Sequence, residues 1–381
     1  MRIIFDYKIY YQQKVGGISN YFYNLGSELL NLNNNLKFVC PMYKNKYIKI
    51  VKSENKKGLF FKFLPSKGSK IFENINHVLT NNFINNFEPN IVHETYYSKK
   101  NYGKKVKTVC TFFDMINEIF PKYFNNSAEI TEIKKITAER ADKILCISNK
   151  TKQDLIKYFN VEERKIQVSL LSSGFEKIKF VENKKKKFSD CILFVGSRHG
   201  YKNFESLIIA YGKSNYLKNN FRIIFYGGEK LSKYELEIIK KNNIKIENIF
   251  FFDDNDFDLP FLYSNVSILI YPSLYEGFGM PILEAMKLGC PVLSSNGGAL
   301  KEVGGDGMEY FDPLNTDEIS TKLEKILNSE SLIKNIIDYG LKRSNEFSWK
   351  KCAEQTLKVY NNLQNEWKYK GKAFDYCSRW F

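Results

Sequence analysis

Two glutamates stand out as candidates for chemistry. Glu276 and Glu284 lie in YPSLYEGFGMPILEAMKLG (residues 271–289), with Gly277, Gly279 and Pro281 between them, just after the apolar run SILIYP. Carboxylates at this spacing around a glycine loop admit three readings: an acid/base pair for hydrolysis, two hooks for the hydroxyls of a sugar, or helix capping. Pro281 suits the first turn of a helix, where its missing N–H costs nothing and its φ is preset. The glycines before it would let backbone N–H groups face a gap with no Cβ in the way. That arrangement attracts phosphate through oriented N–H groups and the helix dipole. A second acidic run, FFDDNDFD, places Asp254, Asp256 and Asp258 at DxD spacing that could hold a divalent metal. It follows a late strand and precedes a helix, where acidic capping is the ordinary outcome.

The elements that must position these residues alternate. Strands are predicted at Arg2 to Asp6, LKFVC, NIVHE, KTVCTFFD and KILCIS, each followed by a polar or helical stretch. After Gly16-Gly17, ISNYFYNLGSELLNL has helical spacing with Ile18, Phe22, Leu25 and Leu29 on one face. A further helix starts at Ser148, with Thr151 and Asp154 in its first turns. The pattern breaks over residues 173–189, which hold SSG and VENKKKKFSD, and this is the expected linker. It restarts with CILFVGS, FRIIFYGG, IENIFFFD, VSILIYPS and PVLSS, alternating with helices. Strand alternating with helix implies a parallel sheet covered on both sides. The fold class is therefore α/β, with a first domain over 1–172, a second over 190–348, and a helical C-terminal segment over 349–381 ending in FDYCSRWF. In such sheets ligands bind beyond the carboxyl ends of the strands, and two facing sheets would place the site in a cleft between domains.

Composition bounds the partners. With 381 residues, the chain is long enough for two cores, and no apolar run reaches 18 residues. The opening MRIIFDYKIYYQQ enters strand-like sequence directly, unlike a signal peptide. Seven scattered cysteines without a CxxC read as buried, reduced thiols of a cytosolic protein. The net charge of +16 favours acidic partners such as an anionic membrane or phosphorylated substrates. No recognition motif supports nucleic acid. Much of the charge comes from exposed-looking lysines such as Lys184 to Lys187, and KKGLFFKFLPSKGSK (residues 56–70) is the stretch best suited to a membrane surface.

Glu276-x7-Glu284 within EGFGMPILEAM resembles the signature of the family-4 retaining glycosyltransferases, nearest the mannosyltransferase-like, O-antigen and polysaccharide branch. VGSRHGYKNF, CISNKTKQDL, PVLSSNGGALKEVGGDGMEYFDP and FSWKKCAEQTL resemble further segments of that family in the expected order, so the resemblance spans nearly the whole chain. It implies two Rossmann-like domains facing each other across a cleft (GT-B), with the last helix crossing back to the first domain. It also implies transfer of a hexose, with a GDP- or UDP-linked donor and a glycan or lipid-linked acceptor, and with no cofactor or metal. Arg198 and Lys202 would hold the donor diphosphate, Glu276 the donor sugar and Glu284 the ribose. Backbone near Gly277, Phe278 and Gly279 would meet the phosphates and sugar, and Gly16 and Gly17 would approach from the other domain. Domain closure over the donor is expected.

One position departs from the pattern. Phe113 stands in TFFDMINEIFP where the family often has a histidine before the aspartate, here Asp114. His93 is a partial substitute or a satisfied core residue, and His199 carries no assigned role. A hydrolase would need neither a glycine-helix phosphate site nor Arg198 and Lys202. The alternative motivated by Phe113 is a non-catalytic nucleotide-sugar-binding or scaffold subunit. The location expected is cytoplasmic, at the inner face of the cell membrane.

Overall fold

The computed structural model describes residues 1–32, 34–63, 70–103, 106–181, 186–253 and 256–377, with side chains described as far as residue 366. Lys184 and Lys185, residues 64–69 of the basic aromatic stretch, Asp254, and, in the FDYCSRWF tail, the side chains of residues 374–377 and all of residues 378–381 lie outside that description. The chain divides into two compact units. Unit 1 comprises Met1–Glu118, Asn126–Leu171 and Trp349–Phe381, and unit 2 comprises Ile119–Asn125 and Ser172–Ser348. The first unit is thus not the continuous stretch 1–172, because Ile119–Asn125 groups with the second, as do the residues from Ser172 on.

Unit 1 is built on a seven-stranded sheet of β1 (Arg2–Phe5), β2 (Asn35–Tyr43), β3 (Lys56–Phe60), β4 (Ile91–Glu94), β5 (Lys107–Phe112), β6 (Lys143–Cys146) and β7 (Ile166–Val168). Their order is β3-β2-β1-β4-β5-β6-β7, and every pairing is parallel. Helix Gly17–Asn31 buries Tyr21, Phe22, Leu25 and Leu29, while Ile18 is only half-buried, so its apolar stripe is turned slightly from the predicted one. Helix Asn149–Phe159 starts where predicted, with Ser148 accepting from the Thr151 N–H. The last helix, Trp349–Cys377, belongs to this unit. Its buried Cys352, Ala353, Thr356, Tyr360 and Leu363 recur at helical spacing. Tyr360 and the Cys352 carbonyl bond His93 and Ser169.

Unit 2 repeats the plan with β8 (Phe188–Val195), β9 (Arg222–Tyr226), β10 (Ile249–Phe252), β11 (Val266–Tyr271), β12 (Val292–Ser295) and β13 (Glu309–Phe311) in the order β10-β9-β8-β11-β12-β13, again all parallel. Both faces are apolar: Ile192, Phe194, Ile268 and Ile270 enter one core, and Leu193, Val195, Leu269 and Tyr271 the other. That double burial is why these strands read as unbroken apolar runs rather than alternating ones.

In each unit the strand order reverses beside the first strand, between β1 and β4 and between β8 and β11. At such a reversal the two crossovers leave in opposite directions, so the carboxyl ends of the two strands open a crevice.

Candidate active site

The unit 2 crevice gathers Lys202 and Glu276. Chain leaving β8 runs through Gly196 to a single helical turn, Gly200–Lys202, and Asn203 ends that turn with φ of 59°. Asparagine tolerates this left-handed conformation better than most residues. The Asn203 amide then donates to the carbonyls of Pro272 (3.0 Å) and Pro313 (2.7 Å), which fixes the turn against the chain leaving β11. From there Lys202 Nζ donates to Glu276 Oε1 at 2.6 Å and to the Tyr271 hydroxyl at 3.0 Å. The two side chains are only 13% and 11% exposed. Shielding at this level makes the pair stronger than a surface ion pair and costly to break from one side.

Backbone contacts hold Glu276 in place. The Ala299 N–H donates to the Glu276 carbonyl at 2.8 Å, and the Leu274 N–H to that of Tyr201 at 2.7 Å. Gly298 has φ of +65°, and a Cβ there would lie 2.3 Å from the Glu276 carbonyl oxygen. Only glycine allows this approach. Gly279, with φ of +100°, caps helix Met280–Lys287, and Pro281 stands in its first turn. Phe278 turns its ring inward, 3% exposed and edge-on to Phe347, so only its backbone can meet a ligand.

Glu284 is separate in character. It accepts from the Tyr263 hydroxyl at 3.4 Å and lies beyond the helix's first turn, so helix-start electrostatics do not account for it. The residue keeps some exposed area, yet protein surrounds its carboxyl closely enough that burial pushes its pKa up to about 8. Taken alone, a protonated acid near a salt-bridged carboxylate would also suit a hydrolase.

Arg198 points away from Lys202 and Glu276 in this structure. Its side chain is 2% exposed, and three of its five N–H groups bond inside unit 2, to Glu235 Oε1 (2.7 Å), the Gly227 carbonyl (3.3 Å) and the Glu229 carbonyl. Its guanidinium also lies over the Phe251 ring. Burial alone would push the Glu235 carboxyl up, but hydrogen bonds from the Ser232 backbone and Arg198 outweigh it and hold its pKa low. Arg198 ties the glycine turn after β9 to the turn after β8, and the structure does not bring it to Lys202's carboxylate.

In unit 1, Gly16 precedes helix Gly17–Asn31 with extended backbone, and its carbonyl accepts from Ser19 Oγ (2.9 Å) and the Asn20 N–H (2.9 Å). Gly17 faces open space. Asp114 accepts from the Ile116 N–H at 3.0 Å and from Lys134 Nζ at 3.4 Å, and Lys134 also reaches Glu118 at 3.0 Å. Phe113 packs edge-on to Tyr21 at 5.3 Å, within an aromatic cluster that includes Phe22. His93 is fully buried, with Tyr360 at 2.6 Å and Thr111 at 2.8 Å on its two ring nitrogens, and burial lowers its pKa to about 3. It is a satisfied core residue and does not replace the missing histidine.

Asp258 caps helix Leu259–Asn265 through the Phe261 N–H, and Asp256 accepts from the Asp253 N–H. Among the described residues no cluster of His, Cys, Asp or Glu could hold a metal ion. The residues that sequence reasoning missed are Asn203, Tyr271, Gly298 and Tyr263. Of these, only the Gly297-Gly298 dipeptide carried a readable signal.

Comparison with known proteins places the chain by family and fold. A family profile described as "Glycosyl transferases group 1" matches residues 175–343, and one described as "Glycosyltransferase Family 4" matches residues 15–169. The O-antigen chain mannosyltransferase B of Escherichia coli is 28% identical over 272 residues, covering 68% of this chain and 71% of that protein. The serotype-specific mannosyltransferase WbdA of the same organism is 28% identical over 275 residues, and the match covers 68% of this chain but only 34% of that protein. Among solved structures, a glycosyltransferase from Rickettsia africae shares the fold with a TM-score of 0.70 at 20% identity, over 95% of this chain and 98% of that one.

Proposed function

The chain belongs to the family-4, group 1 glycosyltransferases, and from that premise we propose that it is a retaining hexosyltransferase acting in surface-polysaccharide synthesis. The donor would be a GDP- or UDP-linked sugar, mannose-like by analogy with the named relatives, and the acceptor a glycan or lipid-linked saccharide. One observation carries the reading: Lys202 and Glu276 meet at the strand reversal of unit 2, held by backbone contacts rather than by chance of side-chain rotamer.

In this reading the Lys202–Glu276 pair is the resting state. Donor binding exchanges it, with Lys202 turning to the diphosphate and Glu276 to the sugar hydroxyls. Glu284 takes the ribose, and ionises as it accepts hydrogen bonds from the ribose hydroxyls. Backbone at Gly277 and Gly279, and at Gly16 and Gly17 of unit 1, would supply further donors to the phosphates. Asp114 serves the acceptor side. Arg198 acts as a positioning residue, keeping the Lys202 turn in place from behind. Reaction breaks the bond from the anomeric carbon to the diphosphate oxygen and forms the bond to the acceptor oxygen on the same face. The acceptor's proton passes to the departing phosphate. Catalysis then comes from positioning and from stabilising the leaving charge, with no protein nucleophile required. No metal or cofactor is invoked.

A membrane surface suits unit 1. Strand β3 exposes Leu59 (69%) and the chain after it Phe63 (86%), in a stretch that also exposes Lys57 and Lys62, and helix Lys70–Phe87 exposes Ile71 (71%) and Val78 (55%). Exposed apolar side chains with exposed lysines nearby in sequence suit an anionic bilayer. No described helix is long and apolar enough to cross one. Flotation with anionic liposomes should carry the protein, and equal flotation with neutral ones would remove the electrostatic part.

The test of activity is transfer of a radiolabelled sugar from a panel of nucleotide sugars to a lipid-linked acceptor. Transfer with the donor's anomeric configuration kept, and lost in Glu276→Ala and Lys202→Ala, is expected. An inverted product would contradict the mechanism, and tight donor binding without transfer across the panel would favour the non-catalytic alternative.

A further inference from the structure

A cavity of about 390 Å³ lies within unit 1. Its lining comes from the chain leaving β1 (Lys8), the chain leaving β4 (Tyr97, Ser98, Lys99, Lys100), the start of helix Lys70–Phe87 and helix Ser127–Arg140 (Glu129). It therefore stands at the carboxyl ends of the strands where the order of this sheet reverses, the same topological place that Lys202 and Glu276 occupy in unit 2.

Charge in the cavity is unbalanced. Four lysines line it against Glu73 and Glu129. Glu73 is taken by Lys8, and Lys99 pairs with Glu132. Among the described residues neither Lys70 nor Lys100 has a carboxylate within ion-pair distance; the Lys100 ammonium donates to the neutral Asn74 side chain. Burial, with the nearby Lys8 charge, lowers the Lys100 pKa even though Glu73 opposes it. Lys100 is half-buried and Lys70 is exposed at the opening. A half-buried ammonium group that lacks an anion is unfavourable unless an anion joins it, and a second lysine at the opening adds to the attraction.

The cavity also has a direction. Tyr97 forms one wall, its hydroxyl accepts from the Phe113 N–H at 3.2 Å, and its ring lies 5.5 Å below Lys134 Nζ, which bonds Asp114. One side chain thus separates the lysines from Asp114.

We infer that this cavity is a subsite for an anionic substituent of the acceptor, a phosphate or a carboxylate, one side chain from the hydroxyl that Asp114 serves. The acceptor assignment rests on the reading of function above; anion binding itself does not. Inorganic phosphate and glucuronate are the probes, titrated calorimetrically at low ionic strength into the full chain. A Lys202→Ala background removes the second phosphate site, and melting curves confirm that each variant is folded. Expected is at least a tenfold loss of binding in Lys70→Gln/Lys100→Gln, with no loss in Lys240→Gln on an exposed helix of unit 2. Phosphate alone bound would point to a phosphorylated acceptor, and glucuronate alone to a uronate. Losses no larger than in Lys240→Gln, or no binding of either probe, overturn the inference. Titrating UDP and GDP into the unaltered chain separates the two readings: nucleotide binding together with anion binding supports both, whereas anion binding without nucleotide binding leaves the cavity and removes the acceptor.

Discussion

The two strand reversals solve the same problem in different ways. In unit 2 the crevice is set by backbone: Gly298 lies against Glu276, Asn203 bonds two carbonyls of the opposing loops, and Lys202 reaches its carboxylate from a turn with no freedom to relax. In unit 1 the crevice is set by side chains. Asp6 is buried beneath it, accepting from the Thr95 N–H at 2.7 Å and from the Tyr102 hydroxyl at 2.7 Å, and lysines surround the opening above. A site fixed by backbone presents one geometry, whereas a site made of long side chains is easily altered by substitution. The contrast fits a constant diphosphate on one side and a variable saccharide on the other.

The comparison can be broken or sharpened by substitution. The largest effect is expected from Glu276→Ala or Lys202→Ala, each lowering kcat/KM by about a thousandfold, the scale of losing one preorganised group at a developing charge. The double variant should lose more than either alone, because with donor bound the two hold different groups. Next comes Gly298→Ala, which forces a Cβ onto the Glu276 backbone at a left-handed φ. Activity should fall about a hundredfold with a modest drop in melting temperature. A comparable substitution of a unit 1 lysine, Lys100→Ala, should change acceptor KM with donor KM unaltered.

Smaller effects separate the units by pH. Glu284 has a folded pKa of about 8 against an ordinary 4.5, so the folded state keeps a proton that the unfolded chain sheds. Its contribution to stability therefore falls as pH rises from 4.5 to 8, and Glu284→Gln should remove that slope. Nucleotide binding near pH 7 should release a proton, seen as a heat that varies with buffer. His93 behaves oppositely, with a folded pKa of about 3 against 6.5. Stability falls as pH drops from 6.5 towards 3, by up to about 1.4 kcal/mol per pH unit. A His93→Gln variant should flatten that acid limb.

Much of the fold was legible because strands buried on both faces leave continuous apolar runs, as in VSILIY and CILFV. Strand β3 was not, since Lys56–Phe60 pairs along only one edge and four of its five residues are exposed, so no burial pattern marks it. Lys202 and Glu276 were legible as types in a glycine context. The direction of Arg198 was not legible because four-residue spacing says nothing about it: the turn at Gly200 sends Lys202 towards β11 and leaves Arg198 facing Glu235. The bond from His93 to Tyr360 spans 267 residues of sequence, and no local pattern predicts such a partner.

The central claim, that Lys202 holds the donor's diphosphate, is tested most directly by calorimetry with nucleoside diphosphate and nucleoside monophosphate on the unaltered chain and on Lys202→Ala. The account predicts at least tenfold weaker binding of the diphosphate in the variant, with the monophosphate little changed. Equal losses for both nucleotides, or no loss for either, would contradict it.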